Sequence, residues 1–509
     1  MQLTQQPITK IVIAGGGTAG WLAAATLSYA FKNQSVDITL IESDEIGTIG
    51  VGEATIPPLI AILESIGIDL VDFIKHTQAT FKLGIQFADW HSKGDAYFHP
   101  FGTLGRNIDG HDFYQCWLKT AAEGDTTPLM AHSPEAILAQ QNKFFIPHEA
   151  HNTPLARARF ALHLDAGLMA RYLRNFAENN GVKRVEGIIS DVLKDSSGNI
   201  SDVCVNQQSI KGEFFIDCSG FKGLLIEQTM HAGFDDWSEY LPCNRAVTVQ
   251  TTHTKTINPY TVSKAQNAGW SWHIPLQHRM GNGYVFCDKY CDDQQAIDTL
   301  LASVTGELLT KPKVIAFKTG VRKQAWIKNC LSLGLAQGFI EPLESTAIHL
   351  VSKSLALFIK MFPDNSDTNQ VIIDEFNRRI HQDYLEIRDF LVLHYCTTTR
   401  NDTAFWRDCA SMAIPKSLQQ KLAIFKVAGT LTSAAEQLFQ PTSWYAVLNG
   451  MQVMPSRYNP VLDSLDSNKL TQSLQQGSKA IENAVLTQPS HAEFIARFCD
   501  AKDVYQKSA

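Results

Sequence analysis

The sequence predicts an α/β protein with mixed sheets and a helical C-terminal cap, and three observations carry that prediction. A β-branched apolar run over residues 9–14 ends in glycines, opens into a small-residue helix over 18–31 and continues to an alternating strand over 37–42, a βαβ start. Short apolar runs over 182–189, 202–205, 213–217 and 330–335 spread further strands along the chain, the last feeding a helix over 343–362. Beyond Asp374 the period turns helical, over 376–394, 403–412, 418–428, 469–485 and 491–498, with a loop rich in Pro, Trp and Tyr over 439–460.

Between these elements, residues 81–151 are dense in aromatics and histidine and read as an inserted, substrate-facing lobe, and 247–286 alternate in part like antiparallel strands. The predicted organisation is a base over residues 1–370 that contains both insertions, and a mainly helical cap over 371–509 that completes the substrate site. Without repeats or a Gly-, Ser- or Pro-rich linker, that boundary is soft.

With 509 residues, 44% of them hydrophobic and 19% charged, the chain can bury a large core and falls outside the disordered and fibrous classes. Its 51 acidic and 44 basic residues are spread along the chain, so no basic field draws nucleic acid or anionic lipid, and a small neutral or aromatic partner is expected. Neither a bilayer-length apolar run of ~18 residues nor a signal-peptide pattern is present, which points to the cytoplasm. The ten cysteines are scattered, and the closest, Cys287 and Cys291, lack a second pair at zinc spacing; they read as reduced, mostly buried thiols. His148-Glu149-Ala150-His151 follows Pro147 without the helical i, i+4 histidine spacing, and reads as a surface turn rather than a metal site.

The strongest motif is Gly15-Gly16-Gly17-Thr18-Ala19-Gly20, a G-x-G-x-x-G between a predicted strand and a predicted helix. Its bare backbone lets amides approach a pyrophosphate at a helix N-terminus. Glu42 ends the next strand about 20 residues on, where an acid accepts a hydrogen bond from a ribose hydroxyl. Together they indicate FAD or NAD, and alone they leave that choice open. Asp217-Cys218-Ser219-Gly220-Phe221-Lys222-Gly223 reads as an ordinary strand and turn.

Farther on, Gly334-Leu335-Ala336-Gln337-Gly338 leads to Glu341-Pro342-Leu343-Glu344-Ser345-Thr346. Pro342 fits the first helical position and Glu344 the first turn, so the plain reading is a well-capped helix; the same start would aim amides near Ser345 and Thr346 at an anion or a flavin carbonyl. Trp270-Ser271-Trp272-His273-Ile274-Pro275 sets two indoles on one face of a strand, ordinarily core packing. Lys82 interrupts the apolar run Phe81-Lys82-Leu83-Gly84-Ile85, and by itself would be a snorkelling lysine.

Taken in order, the glycine loop followed by Trp21, Gly50-Val51-Gly52-Glu53-Ala54-Thr55-Ile56-Pro57, Phe81-Lys82-Leu83, His99-Pro100-Phe101-Gly102, the W-x-W-x-I-P segment and E-P-L-E-S-T resemble the flavin-dependent halogenases of the tryptophan halogenase family. The resemblance implies a FAD-binding fold like that of single-component flavin monooxygenases. It implies Gly15, Gly17, Thr18, Ala19, Gly20, Glu42 and Gly338 around FAD. It further implies a halide, bromide or chloride, near the backbone of Thr346 and Ala347, giving hypohalous acid that crosses a tunnel to Lys82. Glu344 then corresponds to the acid that orients the electrophile and takes the ring proton, and Trp270, Trp272, Ile274 and Pro275 to the barrier between flavin and arene. His99, Phe101 and Trp444 correspond to substrate walls.

Since only one dinucleotide fingerprint is present, FADH2 is expected from a separate NAD(P)H-dependent flavin reductase. Two positions depart from the family pattern. Ala347 stands where tryptophan halogenases usually have glycine, and its methyl group favours bromide over chloride. Pro441-Thr442-Ser443-Trp444-Tyr445 stands where they hold the amino acid's charged groups, so an indole or other electron-rich arene is the expected substrate. The competing readings are a flavin-dependent aromatic hydroxylase, which needs neither a relay lysine nor a barrier, and a catalytically silent flavin-binding protein in which Lys82 and Glu344 form a buried ion pair.

Overall fold

A computed structural model describes residues 7–45, 52–253, 256–363 and 369–502. Gly50 and Val51 of the G-V-G-E segment lie outside the described residues. The dinucleotide-type half is a six-stranded sheet in the order Trp326–Ile327, Cys330–Ser332, Phe214–Asp217, Lys10–Ala14, Asp37–Glu42 and Lys183–Glu186. Every neighbouring pair is parallel except the first. Ile11, Val12, Ile13 and Ala14 are all buried, as a parallel strand covered on both faces requires. The helix Thr18–Ala30 packs on Ala166–Asn179 and Ala347–Lys360, and Ala23, Ala24 and Ala25 are fully buried in it.

The second large sheet has seven strands, ordered Lys313–Ala316, Arg245–Thr251, Met280–Phe286, Gly269–Pro275, Thr261–Gln266, Gly84–Ala88 and Ala96–Pro100. The predicted lobe over 81–151 and the predicted antiparallel strands over 247–286 therefore share one sheet, joined where Thr261 pairs in parallel with Ile85. Alternation reveals each strand but not a pairing between strands so far apart in the chain. A three-stranded sheet of Gly52–Ala54, Ala161–Asp165 and Thr80–Lys82 lies beside it and carries Lys82 at the end of a strand.

Two predicted elements are corrected. The expected loop over 439–460 contains the helix Pro441–Gly450: Pro441 is preorganised for the helix start, and Trp444 to Leu448 are buried on it. The expected helix over 343–362 is instead a 3-10 turn, Pro342–Glu344, followed by the helix Ala347–Lys360, because Ser345 between them takes a left-handed backbone at φ 61°. The remaining C-terminal helices are Gln370–Cys396, Ala404–Ser411, Lys416–Ala428, Ser467–Leu486 and His491–Phe498. Among the described residues no helix is long and apolar enough to cross a membrane. The ten cysteines are free thiols, six of them buried.

Candidate active site

Lys82 is fully buried, and its Nζ donates to Ser345 Oγ at 2.8 Å and to the Thr55 carbonyl at 3.1 Å. Burial pushes its pKa down to about 7, against the opposing pull of the Glu344 charge. The Phe101 ring centroid lies 4.9 Å from the same nitrogen. This is not a snorkelling side chain: its head group is sealed in the interior, where a lysine is tolerated only when bonded or neutral.

Glu344 closes the 3-10 turn. His99 Nδ1 lies 3.0 and 2.9 Å from its two carboxylate oxygens, and His394 Nε2 lies 2.9 Å from Oε1. Burial alone would raise the carboxyl, but the proximity of His99 and the hydrogen bonds from both imidazoles hold it at about 2. Lys82 and Glu344 are thus neighbours with separate partners rather than the direct ion pair required by the silent-binder reading. His394, from the long helix Gln370–Cys396, was not legible in the sequence, where it is one histidine in an unremarkable helical pattern. Its ring Nδ1 in turn meets Tyr97 Oη at 2.8 Å.

The aromatic walls converge around the same carboxylate. The His99 ring lies 5.5 Å from Phe390 and 6.2 Å from Phe439, which stack on each other at 3.8 Å. Trp444 meets Phe390 edge-on at 5.0 Å. The structure therefore brings together His99 and Trp444, which the sequence singled out, and adds Phe390 and Phe439, which it did not. The only available signal was that Phe390 and His394 sit one turn apart on a helix.

Trp270 and Trp272 lie with ring centroids 5.9 Å apart. The Trp270 indole N–H donates to Glu341 Oε2 at 2.7 Å, and Tyr395 donates to the same oxygen at 2.8 Å. Burial pushes Glu341 up to about 7. Trp272 lies flat over Gly283, where a Cβ would come within 2.1 Å of its ring. Farther along the strand, Ile274 packs on Gly52, and the Pro275 carbonyl accepts from Thr80 Oγ1 at 2.6 Å, two residues from Lys82. A Cβ on Gly281 would come within 3.0 Å of the Gly52 Cα, so these two backbones touch. The W-x-W-x-I-P strand is therefore continuous in space from the paired indoles to the strand that carries the lysine.

The glycine loop fits a dinucleotide. Gly15 has φ 111°, and a Cβ there would come within 2.3 Å of the Cys218 carbonyl oxygen. One on Gly20 would come within 1.8 Å of the Gly15 carbonyl oxygen, whereas Gly17 faces open space. These are the tight turn, close packing and open approach that a pyrophosphate site needs. The helix Thr18–Ala30 begins without a side-chain cap, leaving its first amides for an anion, and Ala19 packs against Gly334. Glu42 accepts from Arg184 Nε at 2.5 Å and from Trp21 Nε1 at 3.1 Å, which orients its carboxylate at the strand end. Gly338 lies in a short strand against Gly320 and Tyr384, and that packing accounts for the glycine. At the other helix start, Thr346 is buried, Ala347 is exposed, and no side chain caps Ala347–Lys360.

Solved structures share this architecture along their whole length. Xcc4156, a flavin-dependent halogenase from Xanthomonas campestris, is 42% identical with a TM-score of 0.93, over 97% of this chain and 99% of its own. BrvH, a flavin-dependent halogenase from Brevundimonas sp. BAL3, is 40% identical with a TM-score of 0.92, over 96% and 99%. An architecture shared over nearly the whole of both chains at 40% identity and above is that of a flavin-dependent halogenase, an enzyme of the oxidoreductase class. The chain belongs to the tryptophan halogenase family, whose model matches residues 10–467. It is 32% identical to tryptophan 6-halogenase SttH of Streptomyces toxytricini, over 96% of this chain and 98% of that one.

Proposed function

We propose that the protein halogenates an indole or related electron-rich arene by passing hypohalous acid to Lys82 beside Glu344. The observation that carries this reading is the sealed lysine: a fully buried amine, lowered toward neutrality, tethered to the residue that follows an ionised carboxylate. Gly15, Gly17, Thr18, Ala19 and Gly20 would hold the pyrophosphate of FAD and Glu42 its ribose. When bound as FADH2, supplied by a separate NAD(P)H-dependent reductase, the flavin provides with oxygen the oxidising power that converts halide to hypohalous acid.

The chain's own residues do the rest. The uncapped helix start at Thr346 and Ala347 attracts the halide anion. The strand bearing Trp270, Trp272, Ile274 and Pro275 separates cofactor from arene, so that oxygen is not transferred directly. Lys82 holds the electrophile by hydrogen bond or as a haloamine. His99, Phe101 and Trp444 position the ring, and Glu344 stabilises the cationic arene and accepts its proton. The methyl of Ala347 favours the larger halide.

The test supplies the protein with FAD, a flavin reductase, NADH, oxygen and bromide, and measures brominated indole by mass spectrometry. Wild type is expected to give product and Lys82→Ala none, with flavin binding retained. Equal bromination by the variant would mean that free hypobromite does the chemistry.

A further inference from the structure

Glu344 does not stand alone. Its carboxylate is the third member of a chain running from the half-buried Tyr97 through His394 to Glu344 and on to His99, with contacts of 2.8, 2.9 and 2.9 Å. His394 and Glu344 are 0% and 1% exposed at their side chains. The charged and titratable groups facing Glu344 are Lys82 from the strand Thr80–Lys82, Tyr97 and His99 from Ala96–Pro100, and His394 from Gln370–Cys396.

Each proton in this chain has one consistent place. An ionised Glu344 only accepts, so His394 Nε2 carries the hydrogen that points at Oε1. Burial favours the neutral imidazole, so Nδ1 is then an acceptor and receives a hydrogen bond from the Tyr97 hydroxyl. The phenol thereby selects the His394 tautomer. The geometry is held by packing: Phe87 stacks on Tyr97 at 4.9 Å and 8° and on His394 at 4.6 Å and 16°, keeping the two rings nearly parallel, at 11°. On Tyr97 also rests Gly450, the last residue of the helix that carries Trp444, where a Cβ would come within 2.3 Å of the phenol Cγ.

We propose that Tyr97 and His394 are positioning residues for the halogenation reaction: the Tyr97 hydroxyl fixes the imidazole so that its N–H keeps Glu344 aimed and ionised when the arene gives up its proton. Two members of one strand, Tyr97 and His99, then hold the carboxylate, one through His394 and one directly. Gly450 ties this grip to the helix that walls the arene. The inference rests on the reading of Glu344 as the proton acceptor.

The experiment compares wild type with Tyr97→Phe, His394→Leu, His394→Gln and Glu344→Gln in the reductase-coupled assay, recording kcat and KM for indole across the pH range, flavin binding, and total hypobromite captured by a thiol trap. Tyr97→Phe removes one oxygen and is expected to lower kcat about tenfold, leave KM within about twofold and move the acid limb of the kcat profile up by about one pH unit. Flavin binding and hypobromite yield should stay at wild-type levels. His394→Gln, whose amide can still donate to Glu344, should retain several-fold more activity than His394→Leu. A Tyr97→Phe enzyme with wild-type kcat and an unmoved profile, or one whose only change is a raised KM, overturns the proposal. An active Glu344→Gln enzyme would instead overturn the underlying role of Glu344, so the two failures are distinguishable.

Discussion

Lys82 Nζ and Ser345 Oγ lie 2.8 Å apart, so the buried amine is tied to the residue that directly follows Glu344. Ser345 holds a left-handed backbone at φ 61°, a conformation that costs a non-glycine residue roughly 1 kcal/mol. Substituting glycine separates backbone from hydroxyl. Ser345→Gly is expected to leave stability unchanged or raise it by up to about 1 kcal/mol, while lowering halogenation about tenfold because the lysine loses its tether. Denaturant unfolding and product formation measured on the same preparation check the split; parallel losses in both would show that the hydroxyl serves folding alone.

Burial of Lys82 also predicts a pH-dependent cost. Its folded pKa is about 7 against an ordinary value of 10.5, so between those values the unfolded chain binds the extra proton. The contribution of this group to stability therefore rises with pH across that window and is a full penalty below it. Lys82→Met should be more stable than wild type at pH 6, by on the order of 3 kcal/mol, and the advantage should shrink steadily toward pH 10. Unfolding midpoints taken at several pH values give the slope; a constant difference would mean that the lysine is not carrying the titration.

For Glu344→Gln, the new amide group faces the two imidazole N–H groups that the carboxylate accepted from. Loss of the proton acceptor predicts a fall in kcat of about 100-fold or more, with KM for the arene little changed. Steady-state kinetics with the reductase in excess distinguishes this from a binding defect, which would appear as a raised KM.

Ala347→Gly removes the one methyl group at the exposed start of the helix Ala347–Lys360. With chloride and bromide at equal concentration, the variant should raise the ratio of chlorinated to brominated product about threefold or more, at a stability cost of about 1 kcal/mol. An unchanged ratio in the mass spectrum would remove the methyl from any part in halide choice.

The parts legible in the sequence were those within short segments. The glycine loop is marked by its own spacing, whereas Lys82, Glu344 and the paired indoles have ordinary local readings and stand out only because their segments occur in the order of the family they resemble. What escaped is what only the tertiary fold creates. His394 and Phe390 belong to a helix of 27 residues whose pattern is governed by packing, so nothing local separates a carboxylate's partner from a core histidine. Tyr97 reaches His394 from a strand nearly 300 residues earlier. The break at Ser345 was missed for another reason: Pro342 and Glu344 form a good helix start, and the left-handed serine that delays the helix is hydrogen-bonded by a lysine from the distant strand Thr80–Lys82.

The contact between Gly52 and Gly281 bears on how such an enzyme can change. A Cβ on Gly281 would come within 3.0 Å of the Gly52 Cα, so any side chain there would prise the lysine-bearing sheet from the indole-bearing one. That seam leaves variation little room. Two of the aromatic walls, by contrast, Trp444 and Phe439, are side chains on the helix Pro441–Gly450 and the segment ahead of it, where shape can alter without moving a sheet. Directed libraries aimed at new arenes should therefore spare the glycine seam and diversify Phe439 and Trp444, because selectivity can drift there while the halogenating machinery keeps its register.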